Sequence, residues 1–415
     1  MRVIGDLHLH SKYSRATSPN MNLDMLAHWG KIKGLNLLGT GDFTHPAWFK
    51  ELENKLKEKR EGIYTYNDMD FILQTEVNNV FEHEGKRRQV HNIIYAKDFD
   101  TVKQINEIFA KHGNLAEDGR PSLKLSCQEM MDELKSIGLN KDVFVVPAHA
   151  WTPWFGIYGS KSGFNSIKEC FGEHAKHVFA IETGLSSDPL MNGMVAETRN
   201  LALISNSDSH SYWPWRLGRE ANIFEFEKEP SFNDIFEKIK NKDLKTIEVD
   251  PSYGKYHFDG HRKCGISMDP AEAEKHGNRC PVCGKPLTLG VLHRVYDLGD
   301  IKDLQRNYHA QQYYKVVPLH DILAAYYNTS VNSKKVWKIY DDLIKHFGNE
   351  YNILLYAKPE ELKQHISDEK LVNLILQNRE GKIHVIPGYD GEYGKVSLNP
   401  QAEHKEKVIK QKKLF

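Results

Sequence analysis

Asp6-Leu7-His8-Leu9-His10 follows the apolar start Val3-Ile4, and its reading decides the fold. The run 3–9 reads as a strand. Residues i and i+2 of a strand share a face, so His8 and His10 point the same way and can hold one metal ion or two adjacent ones. Asn22 then caps a helix carrying Leu23, Leu26, Ala27 and Ile32, which Gly34 stops. Further strand candidates cover 35–38, 71–74, 90–96, 143–146, 178–181 and 201–204. Helices are predicted over 99–109 and 126–137, the second opened by a capping box of Ser126 and Glu129. About seven strands separated by helices predict an α/β layer or barrel with a mainly parallel sheet.

Polar residues recur where the strand candidates end: Asp42 and His45 in Thr40-Gly41-Asp42-Phe43-Thr44-His45, Glu76, His91, His149 after Pro147-Ala148, and Asp208 with His210. Sites in such folds form at the carboxyl ends of strands, where several ends converge and loops vary freely. Any one of these histidines alone would pass as an ordinary structural residue. As a set they point to a multinuclear metal site, with His8, His10, Glu76, Asp208 and His210 closest to the chemistry. Imidazole and carboxylate suit Zn²⁺, Mn²⁺, Mg²⁺ or Fe²⁺, and paired ions can clamp both oxygens of a phosphoester displacement.

This ordered set resembles the polymerase and histidinol phosphatase (PHP) superfamily over roughly residues 1–225. The resemblance implies a distorted (β/α)7 barrel with two to three divalent metals. Two departures stand out. Gly41-Asp42-Phe43 replaces the usual Thr-Asp-His, so that the histidine ligand is missing or supplied by His45. Ser14-Arg15-Ala16 stands where many members carry an acid or histidine. Arg15 is a candidate for a substrate phosphate, an ordinary surface arginine being the alternative.

Of the 415 residues, 56 are Lys or Arg and 56 are Asp or Glu, so the formal net charge is zero and binding of nucleic acid by bulk charge alone is excluded. Apolar residues at 40% and charged residues at 27% predict an ordered globular chain of two to three domains. There is no long apolar run, and the N-terminus turns polar too early for a signal peptide; the expectation is a cytoplasmic protein with no membrane partner. Three of five cysteines, Cys264, Cys280 and Cys283, share one short window, which in a reducing compartment points to a metal. With His261, or His257 in its place, they match a closed structural Zn²⁺ site.

Aromatic residues crowd two of the metal-bearing loops. Trp151, Trp154, Phe155 and Tyr158 follow His149; Tyr212, Trp213 and Trp215, then Arg216 and Arg219, follow His210. Exposed rings beside a phosphoester-cleaving centre suit stacking on an unpaired base, although a core role fits half of them equally well. Helices are predicted again over 336–347 and 360–376, followed by the turn Pro387-Gly388-Tyr389-Asp390-Gly391-Glu392-Tyr393-Gly394. The tail 401–415 has five Lys against two Glu. A PHP-like barrel followed by Gly260-His261-Arg262, Cys280-Pro281-Val282-Cys283-Gly284, Gly290-Val291-Leu292 and this Gly-rich turn resembles the endonuclease Q family over nearly the whole chain. The resemblance implies a DNA repair endonuclease that hydrolyses the phosphodiester 5′ of a deaminated base (uracil, hypoxanthine, xanthine) or an abasic site in double-stranded DNA. The implied organisation is a barrel over 1–245, a zinc-binding domain over 246–300 and a helical DNA-binding region over 301–415. Two other readings stand beside it: a small-molecule phosphatase of the histidinol-phosphate kind, and a non-catalytic DNA-binding protein with a degenerate barrel.

Overall fold

A computed structural model describes residues 1–299 and 310–398. Seven strands form the barrel in chain order: Arg2–Asp6, Leu37–Gly39, Met69–His83, Lys86–Ala96, Val143–Pro147, Ala180–Glu182 and Ala202–Ile204. Their pairing is continuous from the first to the fifth. The Ala150 amide then reaches the Glu182 carbonyl at 2.9 Å, and the last two strands pair in parallel. Leu9 lies opposite Ser209, closing the ring onto the first strand.

The sheet is mixed, which corrects the mainly parallel expectation. Lys86–Ala96 runs antiparallel to both of its neighbours, because Met69–His83 is a 15-residue strand that turns back on itself through Glu84 and Gly85. The first strand also pairs antiparallel with Ala221–Glu225, which pairs antiparallel with Lys245–Glu248; Tyr313–Lys315 then adds in parallel. Strand Lys245–Glu248 lies across the 245/246 division, so the sheet runs through that point.

Local signals placed several helices correctly. The Asn22 side chain accepts the Met25 amide and Gly34, at φ 100°, ends helix Leu23–Lys33. Helix Phe99–Phe109 is as predicted, and the Ser126–Glu129 capping box opens Cys127–Lys135. The helix expected over 360–376 is two, Pro359–His365 and Glu369–Arg379, because the Asp368 side chain takes the Lys370 and Leu371 amides and starts a new one.

Residues 259–289 make a small unit of paired strands Asp259–His261 and Ile266–Met268 and helix Pro270–Lys275, over a minimal core of Met268, Ala273, Cys280 and Leu287. The Gly-rich turn packs against the segment leading into it: the Phe258 amide donates to the Gly388 carbonyl, and the Gly391 amide to Lys255. The C-terminal helices share the barrel's largest apolar cluster. Lys33, buried, donates to Glu350 and to the Pro214 carbonyl, both at 2.7 Å. The Lys-rich tail lies outside the described residues.

Candidate metal centre

Two ligand groups meet at the barrel mouth and share one carboxylate. His8, His10, Glu76 and Asp208 bring one donor atom each within 4.8 Å of one another, and so do Glu76, His91 and His149. Glu76 divides its oxygens between them. Oε1 lies 2.8 Å from His91 and 3.1 Å from His149; Oε2 lies 3.2 Å from His10 and 3.6 Å from His8. Asp208 Oδ1 completes the first group, 3.0 Å from His10 Nε2.

The strands explain this convergence only in part. Glu76 stands in the middle of its long strand rather than at its end. His91 reaches the mouth because its strand runs backwards: it lies at the middle of Lys86–Ala96, opposite Asn78, two residues beyond Glu76. Asp42, His149 and Asp208 adopt left-handed backbone conformations, with φ of 47°, 29° and 47°. For residues other than glycine such conformations are uncommon and tend to collect at functional sites.

Outer residues fix which nitrogen each histidine presents. His8 Nδ1 donates to Glu182 at 3.0 Å, His10 Nδ1 to Asp42 at 3.0 Å, His149 Nδ1 to Thr152 Oγ1 at 2.8 Å, and His210 Nδ1 to the Asp208 carbonyl at 3.0 Å. In each case Nε2 is the nitrogen turned inward, the orientation that metal-ligating histidines require. His8 Nε2 is buried without any hydrogen-bond partner, as expected of a group that awaits a cation. Burial opposes charge on His8 and His10, but Glu182 and Glu76 around the first and Asp42 and Asp208 around the second outweigh it, raising both well above the ordinary histidine range. Burial pulls His91 down to about 4, so it is neutral and ready to ligate at pH 7.

The predicted residues divide. His210 stands beside the first group, its ring 4.3 Å from His10. Asp42 and His45 lie outside both of these groups. Asp42 is occupied by His10 on one oxygen and by the Ser11 amide, Ser11 Oγ and Ser14 Oγ on the other. His45 stacks on Tyr13 at 4.3 Å. Arg15 is exposed and paired with Glu117 at 2.7 Å.

Trp151 and Tyr158 are also corrected. Both are fully buried, stacked on each other, with Trp151 donating to Asn192 and Tyr158 to Glu197. Trp213 and Trp215 stack at 5.5 Å and pack against Trp337 of the C-terminal helix Lys334–Phe347, half-buried. Arg219 braces the Ser207 carbonyl at 3.0 Å, next to Asp208. Trp154 is exposed, and Arg216 lies over the Tyr393 ring.

Sequence reasoning missed Glu182 and Arg120. Glu182 ends a strand candidate, so the rule that found Glu76 would have found it too. Arg120 sits in a loop with no periodic signal, and its Nη1 lies 3.1 Å from Glu76 Oε2. Its neighbour Gly119 packs so closely on Asp42 and Ser14 that a Cβ there would meet their oxygens at 2.3 and 2.4 Å.

Away from the barrel, His261, Cys264, Cys280 and Cys283 converge as a four-ligand set, with Cys283 Sγ 3.4 Å from His261 Nδ1. Two turns carrying soft and borderline donors fit a tetrahedral ion. His257 lies outside the group, buried, its ring stacked on Phe258. Among the described residues no helix is long and apolar enough to cross a membrane.

Known proteins resemble this chain over most of its length. The family described as the MJ0043 C-terminal domain matches residues 318–382. MJ0043 of Methanocaldococcus jannaschii is 38% identical over 259 residues, 61% of this chain and 32% of that protein, so the chain spans about a third of that relative's length. YqxK of Bacillus subtilis is 28% identical over 419 residues, 95% of this chain and 99% of that one. The crystal structure of the lesion-specific endonuclease PfuEndoQ from Pyrococcus furiosus is similar at a TM-score of 0.84 and 31% identity, covering 95% of each chain. The structure of endonuclease Q with a 27-mer duplex substrate bearing an abasic lesion at the active site is similar at a TM-score of 0.84 and 32% identity, covering 97% of this chain and 98% of that one.

Proposed function

The chain belongs to the endonuclease Q family, and from that premise we propose that it is a metal-dependent DNA repair endonuclease. It hydrolyses the phosphodiester on the 5′ side of a deaminated base (uracil, hypoxanthine or xanthine) or an abasic site in double-stranded DNA. The observation that carries this reading is the pair of ligand groups joined at Glu76.

His8, His10, Glu76 and Asp208 hold one divalent ion, Glu76, His91 and His149 a second, with His210 at hand beside the first. Such ions, Zn²⁺, Mn²⁺, Mg²⁺ or Fe²⁺, supply Lewis acidity toward phosphoryl oxygens and lower the pKa of water. Glu182 and Asp42 keep His8 and His10 in the ligating tautomer. Arg120 places a fixed guanidinium beside Glu76, suited to an oxygen of the scissile phosphate. His261, Cys264, Cys280 and Cys283 take one structural Zn²⁺ that folds the small unit around them. The functional division is a barrel over 1–245 that cuts, with 246–300 and 301–415 holding the duplex.

Duplexes labelled at one end and carrying a single uracil, hypoxanthine, xanthine or abasic site, incubated with Mg²⁺ or Mn²⁺, test this directly. The expected product is a nick 5′ of the lesion, lost in Asp208→Asn while duplex binding persists. Unimpaired nicking by that variant, or phosphate release from small monoesters without nicking, would refute the assignment.

A further inference from the structure

Trp154 and Tyr393 are 40% and 41% exposed, and among the described residues they are the only aromatic members of the exposed large apolar side chains. They lie far apart in sequence, yet one short segment joins them. Trp154 meets the Tyr256 ring edge-on at 5.2 Å, and Lys255, the preceding residue, lies over the Tyr393 ring at 4.6 Å. The Gly391 amide, donating to the Lys255 carbonyl, ties the Tyr393 turn to that segment. The Arg216 guanidinium also lies over the Tyr393 ring, at 5.8 Å.

This ridge borders the metal centre at both ends. Phe155, next to Trp154, stacks on the ligand His91 at 4.4 Å. Arg216 lies on the loop that follows Asp208 and His210, and Arg219 of the same loop holds the carbonyl just before Asp208. Neither Lys255 nor Arg216 forms an ion pair among the described residues, so their charge is available to an anion. Half-exposed aromatic rings beside cations that form no ion pair match a strand of nucleic acid whose bases have left their stack: the cations move from the rings to the phosphates as the bases take their place on the rings.

We propose that Trp154 and Tyr393 are the stacking surfaces for the unstacked nucleotides at the lesion, with Lys255 and Arg216 on the flanking phosphates. The proposal rests on the endonuclease reading and names the residues by which that site grips its substrate. Trp154→Ala and Tyr393→Ala are to be compared with Trp154→Phe and Tyr393→Phe. Affinity is measured by fluorescence anisotropy on an abasic-site duplex, on the same duplex undamaged, and on a single-stranded oligonucleotide. 2-Aminopurine beside the lesion reports unstacking, and metal content and thermal melting report the fold.

The alanine variants should keep their metals and melting temperature while losing about 5- to 150-fold in affinity for the lesion duplex and the single strand. The undamaged duplex should change less, and the phenylalanine variants should recover most of the loss. Lys255→Ala should lower the slope of log affinity against log salt by about 1. If the wild-type protein nicks lesion duplexes and the alanine variants bind and nick like it, the ridge is refuted and the endonuclease reading stands. If the wild-type protein cuts no lesion but its single-strand binding falls in the alanine variants, the endonuclease reading fails, the lesion-gripping role falls with it, and the ridge is a single-strand-binding surface alone. Binding to none of the three nucleic acids refutes both.

Discussion

Replacing Glu182 with Gln should loosen the metal centre without touching a ligand. Four hydrogen bonds enter this carboxylate. Oε1 accepts from His8 Nδ1 at 3.0 Å and Asn206 Nδ2 at 2.8 Å; Oε2 accepts from His8 Nδ1 at 3.1 Å and the His149 amide at 2.7 Å. Either oxygen, turned into an amide nitrogen, faces a donor. Asn206 cannot flip to relieve the clash, because its Oδ1 already accepts the Leu7 amide and Asn222 Nδ2, both at 2.8 Å. At least one buried donor is left unpaired, and His8 loses the charge that holds its proton on Nδ1. Outer partners of this kind change metal affinity roughly 10- to 100-fold, equivalent to about 1.4 to 2.7 kcal/mol. The assay is equilibrium dialysis of wild type and Glu182→Gln against buffered free Zn²⁺ or Mn²⁺, followed by elemental analysis. The first group should weaken by that factor and the zinc of the small unit stay bound. Unchanged affinity in Glu182→Gln, with His8→Ala losing the ion, would show that the carboxylate does not set the tautomer.

Two further outcomes follow from other buried groups. Cys280→Ser should remove one equivalent of zinc and open residues 259–289 to proteolysis while the barrel metals remain; retention of that zinc by elemental analysis would count against the four-ligand set. Burial pushes the Glu248 carboxyl up to about 8 from an ordinary 4.5, so the folded protein keeps a proton there that the unfolded chain releases. Its contribution is full below the unfolded value and is lost as pH rises through about 8, at up to about 1.4 kcal/mol per pH unit. Glu248→Gln should therefore flatten the fall in melting temperature between pH 5 and 8, and an equally steep fall in the variant would contradict the assignment.

Much of the site was legible because its signals are local. His8-x-His10 and Asp208-x-His210 each lie within a three-residue stretch of sequence just beyond a strand, and such short spacing is enough to bring both to the mouth. What stayed hidden depends on contacts between distant segments. Whether Asp42 touches a metal or a histidine that touches a metal differs by one hydrogen bond, and no pattern of residue types encodes that choice. Between the strand candidates at 71–74 and 90–96 nothing in the residue pattern singles out the reversal at Glu84 and Gly85, so the expectation of a mainly parallel sheet missed the direction of the His91 strand although not its membership in the site. Trp151 and Trp154 are three residues apart with the same composition around them. One is enclosed by Tyr158 and Asn192 and the other faces water, a difference set by how the loop folds over itself.

The zinc-bearing segment leaves the large sheet at strand Lys245–Glu248, and the chain comes back at Tyr313–Lys315, that strand's immediate neighbour. A domain strung on the end of a chain can swing about one linker. A segment anchored at two adjacent strands has two tethers a strand's width apart, and the Gly-rich turn adds a third point of attachment through Gly388 and Gly391. Rotation against the barrel is thereby largely removed. In the endonuclease proposed above, a duplex gripped by both parts would therefore have to supply the bending itself, because the unit carrying the cysteines cannot swing toward the barrel.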